Sequence, residues 1–354
     1  MAIIFMDSFD GYGSSQVWSK YPAGGTGVPV IGTGGRRNTQ CLTMNNNDNV
    51  TMGEFLSPQS TVIIGMAIRR NGVFFLPNPS IIRFYNNALA MHCELCFDDS
   101  YRLYLRRSDG TVLVTGTTII AISAWYYLEL KVKMHGSTGT ANLRLNGIDE
   151  FNGTSLNTSV RSPLTVSFIN VGSQNVGYMS IDDLYVCDTT GSSNTNFLGD
   201  IAVEYLVPTG AGAKTQFTPS SGSNWQTVDE TTTVSDADYN SSSVPGAMDL
   251  FGMSNLSGNG LVYAVRTDLR GNKNDAGFRS IKPAFYKPSG VGDTARSYTG
   301  LQSPVSDTFS YLPSQIYNTS PDTGVAWTVD EVNALQYGYA VGDAGMFTLD
   351  AKLV

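Results

Sequence analysis

Through the first half of the chain, apolar and polar residues alternate with a period of two in short runs, and each run stops at Gly, Asn, Asp or Pro. Successive side chains of a strand point to opposite faces, so this pattern predicts β-strands. The clearest span Thr61 to Arg69, Ile81 to Tyr85, Met91 to Phe97, Tyr101 to Arg107, Thr111 to Thr115, Trp125 to Met134, Ala141 to Leu145 and Ser180 to Cys187. Turns sit where the runs stop. Asp98-Asp99, Asp109-Gly110 and Asn146-Gly147 each separate two runs, and Asp-Gly and Asn-Gly suit the left-handed backbone of tight hairpins. The run from Thr61 to Ile68 is apolar on both faces, whereas Leu128 to Met134 alternates cleanly. A covered interior strand explains the first and a strand with one wet face the second, and two packed antiparallel sheets accommodate both.

From Asp188 to Asn196 the chain carries no apolar anchor, which places a domain boundary there: residues 1–190 form one domain and 191–354 a second, β-rich assembly domain. In the second, strands are predicted over Gly199 to Val207, Leu261 to Thr267, Arg279 to Tyr286 and Ala340 to Leu349. Thr328-Val-Asp-Glu331 is a capping box; Val329, Val332 and Leu335 follow at helical spacing, with Gly338 as the stop, so one short helix is expected. The expected fold class is all-β.

Charged residues make up only 15% of the 354, and the formal net charge is −8. A nucleic-acid surface concentrates Lys and Arg, so that function class is excluded, and the pairs Arg36-Arg37, Arg69-Arg70 and Arg106-Arg107 read as solvated strand ends. No apolar run approaches the roughly 18 residues needed to cross a bilayer, and the opening residues lack the features of a secretory leader. Four cysteines are too few for a disulfide framework, which predicts synthesis in a reducing cytoplasm. His92, Cys93 and Cys96 lie close in sequence. Alternation sends the two thiols to opposite faces, so core thiols are expected rather than zinc. The polar stretch Gly210 to Ser243 holds few apolar residues, and Phe217 and Trp225 are its expected anchors across an intersubunit or interdomain surface.

In order along the chain, Asp7-Ser-Phe-Asp10, Gly34-Gly-Arg36, Cys41-Leu-Thr-Met44, Asp109-Gly110, Trp125-Tyr-Tyr-Leu-Glu-Leu-Lys131, Asn146-Gly147 and Ile181-Asp-Asp-Leu-Tyr-Val186 resemble the concanavalin A-like, laminin-G-like jelly roll. The continuation, Asn196 to Gly210, Asn224-Trp225 and Trp327 to Gln336, looks like structural proteins of tailed bacteriophages. This resemblance implies a non-enzymatic virion protein of the head or tail exterior, located in the virion, whose partners are copies of itself and other virion proteins, with neither nucleic acid nor membrane bound. The alternative it leaves is a carbohydrate-binding module for host-surface attachment and, less favoured, a glucanase-type hydrolase.

Family hydrolases use carboxylates two apart on one strand. Asp98-Asp99 and Asp182-Asp183 are adjacent and face opposite ways, so no catalytic residue is assigned. Jelly rolls of this type often hold calcium, and Asp7, Asp10, Asp182 and Asp183 are the candidate ligands, to be brought together if first and last strands pair. Calcium is the one cofactor considered. Trp18, Tyr21, Tyr85, Tyr101 and Tyr126 are available as stacking platforms for a sugar, although core positions are the commoner use of aromatics on strands.

Overall fold

The computed structural model describes residues 3–45, 47–53, 58–73, 78–174, 178–288, 296–342 and 349–353. The chain divides into two compact units, Met1–Val203 and Glu204–Val354. The division therefore falls after Val203, beyond the boundary expected after residue 190.

The first unit is an antiparallel β-sandwich. Its strands are β1 (Ile3–Asp7), β2 (Gly25–Thr26), β3 (Val30–Thr33), β4 (Gln40–Met44), β5 (Asn49–Gly53), β6 (Thr61–Arg70), β7 (Ser80–Tyr85), β8 (Met91–Phe97), β9 (Arg102–Arg107), β10 (Val112–Ile119), β11 (Trp125–Lys133), β12 (Gly139–Leu145), β13 (Ile148–Leu156), β14 (Phe168–Gln174) and β15 (Met179–Asp188). One sheet runs β13-β12-β11-β6-β15-β4-β3, with β1 also on β15; the other runs β10-β9-β8-β7-β14-β5-β2. First and last strands do pair, Asp7 opposite Leu184. The jelly-roll sandwich expected from the sequence is the fold observed.

Alternation decides what fills the space between the sheets. Val62, Ile64, Met66 and Ile68 of β6, with Leu128, Leu130 and Val132 of β11, point inward from the first sheet; Ile82, Phe84, Cys93, Leu95, Leu105 and Val171 point inward from the second. All are buried. The Asn146-Gly147 turn joining β12 and β13 has φ of 50° and 79°, the backbone that Asn-Gly supplies at low cost.

The second unit also consists mainly of strands. Pro208–Thr215, Met248–Met253, Gln336–Val341, Ser280–Lys287 and Arg296–Thr299 form one sheet in that order, and a smaller sheet includes Asn240–Ser242, Leu349–Leu353 and Leu269–Lys273. The helix Val329–Ala334 starts as the capping box requires, Glu331 N donating to Thr328 Oγ1 at 3.1 Å, and buries Val332. It ends at Leu335, before Gly338.

Two expectations for this half need correcting. The stretch Gly199 to Val207 forms no strand, because side chains take the backbone groups a ladder would use. Leu198 N and Gly199 N donate to Glu129 Oε1 at 2.9 and 2.8 Å, Val203 N donates to Asp183 Oδ1 at 2.8 Å, and Ile201 O accepts from Arg36 Nη1. The strand placed over Ala340 to Leu349 ends at Val341, and residues 343–348 lie outside the described residues. Phe217 is buried in the second unit's core with Val228, Phe251, Phe285 and Trp327, and Trp225 packs against that core. Both Phe217 and Trp225, expected to anchor an assembly contact, thus pack within their own unit.

Candidate functional site

The outward face of the second sheet is where the chain spends polar side chains in mid-strand. Cross-strand register aligns Thr51 of β5, Asn170 of β14, Arg83 of β7, Glu94 of β8 and Arg106 of β9 in one row. Thr51, Asn170, Arg83 and Glu94 are each flanked along their own strand by core residues, and Arg106 follows the buried Leu105, so alternation sets the row opposite the hydrophobic interior. A parallel row on one side holds Ser80, Cys96 and Tyr104; on the other side lie Tyr85, Phe168 and Gly53.

The contacts within this face are specific. Arg106 Nε donates to Glu94 Oε1 at 2.8 Å, and the Glu94 side chain is nearly buried. Arg83, only 4% exposed, donates from Nε to Ser80 Oγ at 3.1 Å and has no ion pair among the described residues. Asn170, 6% exposed, donates from Nδ2 to Asn49 Oδ1 (2.6 Å) and to Thr51 Oγ1 (2.8 Å). What remains is a donor and an acceptor on adjacent strands: Arg83 Nη2 and Asn170 Oδ1 are both buried and both without a hydrogen-bond partner. Leaving such groups unpaired costs about 1–3 kcal/mol each, more for a charged one. Tyr104 donates its hydroxyl to Asn78 Oδ1 at 2.8 Å; burial, reinforced by the neighbouring Cys96, raises its pKa to about 12 and keeps the phenol protonated.

The sequence-predicted candidates fall elsewhere. Asp7, Asp10, Asp182 and Asp183 do come into one neighbourhood on the first sheet, as the β1–β15 pairing implies. Each already accepts hydrogen bonds from internal donors, however. Asp7 accepts from Tyr12 and Tyr21 hydroxyls and from Phe9 N; Asp10 from Gln40 N; Asp182 from Arg36 N and Asp183 N; Asp183 from Val203 N and the guanidinium of Arg37. Among the described residues no group of three or more His, Cys, Asp or Glu is arranged to hold a metal ion.

His92 is buried, with Nδ1 on Ser159 Oγ and Nε2 on Thr165 O. Cys93 faces the interior, Cys96 faces outward, and burial pushes both thiols up, Cys96 to about 12. Asp98 caps its turn, accepting from Ser100 N and Arg102 N. Of the aromatic candidates only Tyr85 belongs to the outward face of the second sheet. Tyr21 is buried on Asp7, Tyr101 stacks on Arg70, Tyr126 accepts from Ala121 N, and Trp18 lies against Gly25 of the edge strand β2.

Arg83, Glu94, Tyr104, Arg106, Phe168 and Asn170 go unassigned in the sequence, and Arg106 is misread there as a solvated strand end. The available signal was a charged or amide residue at the centre of an otherwise apolar strand, as in Ile81-Ile-Arg-Phe84 and Cys93-Glu-Leu95.

The carboxylates of the first sheet carry a pH dependence. Burial, then repulsion from neighbouring carboxylates, raises Asp182 to about 7 and Asp10 to about 6 from an ordinary 3.8, and burial also raises Asp183. The native state therefore holds protons that the unfolded chain releases, so their contribution to stability grows as pH falls from about 7.5 towards 4. His92 opposes them: burial lowers its pKa below 6.5, and that contribution is lost as pH falls through 6.5. Asp98, Asp109 and Glu150 are lowered and titrate beneath this window. The balance predicts a net gain of about 1 kcal/mol for the sandwich between about pH 7.5 and 5.5, or roughly 2–4 °C in melting temperature. Calorimetry of the full chain at the two pH values checks it; a lower melting temperature for the sandwich at the acid value would contradict it.

No protein-family model and no curated protein matches the chain. Among solved structures, a cellulose-induced protein, Cip1, matches at 13% identity over 47% of this chain and 88% of that one, with a TM-score of 0.38. The alginate lyase Aly36B matches at 14% identity over 52% of this chain and 95% of that one (TM-score 0.35), and alginate lyase vAL-1 from Chlorella virus at 9% over 45% and 88% (TM-score 0.35). At these identities the likeness is one of fold. Sialidases match as well. The expectation of a non-enzymatic bacteriophage virion protein is corrected by this finding: the matching structures are alginate lyases, sialidases and a cellulose-induced protein, and both the virion assignment and the exclusion of enzymatic activity are withdrawn.

Proposed function

We propose that this protein is carbohydrate-active and takes an acidic polysaccharide across the outward face of the second sheet. The observation that carries this reading is the buried pair Arg83 Nη2 and Asn170 Oδ1, adjacent and unpartnered on that face. A uronate supplies what each lacks. Its carboxylate accepts from the guanidinium, and a hydroxyl of the same or the next sugar donates to the amide oxygen. The five polar residues come from five neighbouring strands, so at about 4.8 Å per strand the row is roughly 20 Å long, which suits a chain of sugars better than a single one. A phosphate polymer suits it less, since Arg106 is already paired with Glu94 and the chain as a whole carries −8.

The same face offers groups for cleavage by β-elimination. Hydrolysis in the usual manner needs two carboxylates flanking the bond, and this row holds one. In elimination, a substrate carboxylate draws Arg106 from Glu94 and leaves that carboxylate free as a base. Glu94 then takes the proton from C5, the C4–C5 double bond forms as the C4–O bond breaks, and Tyr104, held protonated, gives its proton to the departing oxygen. Arg83 stabilises the carboxylate as charge builds on it.

The experiment measures binding and cleavage separately. Titration calorimetry with a polyuronate should show binding by the wild type, loss of at least about tenfold in affinity for R83A, and no comparable binding of a neutral glucan. Ultraviolet absorbance should report new conjugated double bonds with the wild type but not with E94Q or Y104F, both still binding. Equal affinity for neutral glucan, or unchanged affinity in R83A, would overturn the acidic-glycan reading; wild-type binding without any rise in absorbance would overturn the elimination step.

A further inference from the structure

Beside the polar row, the outward face carries an aromatic row built by a glycine. Phe168 of β14 stands opposite Gly53 of β5 on one side and Tyr85 of β7 on the other. Asn170 and Arg83, two residues along the same strands, form the unpartnered pair, so alternation sets Phe168 and Tyr85 on that face directly next to it. The Phe168 ring lies over Gly53: a Cβ at position 53 would fall 1.9 Å from Phe168 Cδ1 and 2.5 Å from Cε1. Glycine in a strand interior weakens the strand and packs nothing itself, and here the missing side chain is what leaves room for the ring to lie across the neighbouring strand. Neither ring is used up by the core. Both residues are half-buried, at the ends of inner strands of a sheet whose core side is filled by Ile82, Phe84, Ile169 and Met52, and the Tyr85 hydroxyl bonds to no other described residue.

We infer that Phe168 and Tyr85 form a stacking platform that binds the apolar face of the sugar next to the one whose carboxylate meets Arg83. This rests on the acidic-glycan reading of the row and adds a second subsite to it. The face of a pyranose carries axial C–H groups that pack on an aromatic ring, while its equatorial hydroxyls point outward within reach of the Tyr85 hydroxyl and Thr51. A subsite of this kind responds to chain length and not to charge. It contributes only when the ligand has a second sugar, and it takes neutral and acidic rings alike in that position. The carboxylate clamp does the reverse.

The two subsites are separated by titrating the full chain with a hexauronate and with a single methyl uronoside, the latter followed by ligand-observed NMR. F168L, which keeps the volume but removes the ring, is expected to weaken hexauronate binding by about tenfold and to leave the methyl uronoside unchanged, whereas F168Y behaves as the wild type. G53A, whose new methyl would occupy the ring's position, is expected to reproduce F168L. R83A weakens both ligands. Should F168L fail to fold, as judged by circular dichroism, G53A read against F168Y decides the matter. Hexauronate affinity unchanged in folded F168L and G53A, or an equal loss for both ligands, would overturn the platform while leaving the clamp standing. Failure of the wild type to bind either ligand would overturn the clamp reading, and the platform with it.

Discussion

Gly65→Ala is expected to destabilise the sandwich by about 3 kcal/mol and to lower its melting temperature by roughly 6–12 °C. Gly65 sits in β6, the strand flanked by β11 and β15, opposite Glu129 on one neighbour and Tyr185 on the other. A Cβ there would fall 2.0 Å from Cε1 of the Tyr185 ring, far inside van der Waals contact. The ring has no route away. It is fully buried and tied through its hydroxyl to Glu129 Oε1, which also receives Leu198 N and Gly199 N. Strain at this one atom would therefore pass to the segment that follows β15, which makes amide hydrogen exchange at Leu198 and Gly199 a second readout. The check is thermal unfolding of the full-length variant. A shift under about 2 °C would mean that the sheet relaxes around the methyl and would refute the account.

In the second unit the largest effect is expected from Asp249→Ala. Asp249 is fully buried on the strand Met248–Met253 and accepts from Gln216 N (2.6 Å), Phe217 N (2.9 Å) and Asn224 Nδ2 (2.6 Å). Those three donors fasten the stretch that brings Phe217 into the core. Burial raises the carboxyl's pKa, so the site already opposes the charge that these hydrogen bonds support. Alanine would leave Phe217 N without an acceptor, reduce Gln216 N to its 3.2 Å bond to Met248 O and Asn224 Nδ2 to its 2.8 Å bond to Phe217 O. At about 1–3 kcal/mol for an unsatisfied donor, with two further hydrogen bonds lost, the loss should reach about 3 kcal/mol, enough to lower this unit's transition below that of the sandwich. Asp249→Asn should fall between the two, because it keeps an oxygen for the backbone donors but faces the Asn224 amide with a second donor. Calorimetry resolving the two units would show it, and an unchanged transition for the second unit in D249A would refute the account.

The two effects share a cause that bears on the proposed site. In both, a side chain buried within a sheet is held by partners distant in sequence. The face of the second sheet is built the same way, except that there two polar atoms have no hydrogen-bond partner among the described residues. Arg83 is oriented by Ser80 and Asn170 by Asn49 and Thr51, and one polar atom of each is left for a ligand.

By itself the sequence determined the strands of the sandwich. Alternation along Thr61 to Arg69, Met91 to Phe97 and Trp125 to Met134 reports which residues can share a face, and Asp109-Gly110 and Asn146-Gly147 report where the chain reverses, because these signals are local and depend only on backbone sterics and side-chain parity. The helix after Thr328 was legible for the same reason, its first turn being satisfied by a side chain three residues away. Only the tertiary structure decided which strands are neighbours. Thr51, Asn170, Arg83, Glu94 and Arg106 are scattered over more than a hundred positions, and no local rule lines them up; the register of five strands does. The same holds for Gly199 to Val207, whose apolar pattern reads as a strand but whose first residues have their backbone claimed by Glu129, Asp183 and Arg36 from elsewhere in the fold. The internal partners of Asp7, Asp10, Asp182 and Asp183 were hidden for a like reason, since tyrosine, arginine and backbone donors reach them from distant parts of the chain. A strand's pattern shows that a residue faces away from the core, but whether it meets water, a partner or an unfilled site depends on chain folded in from far away.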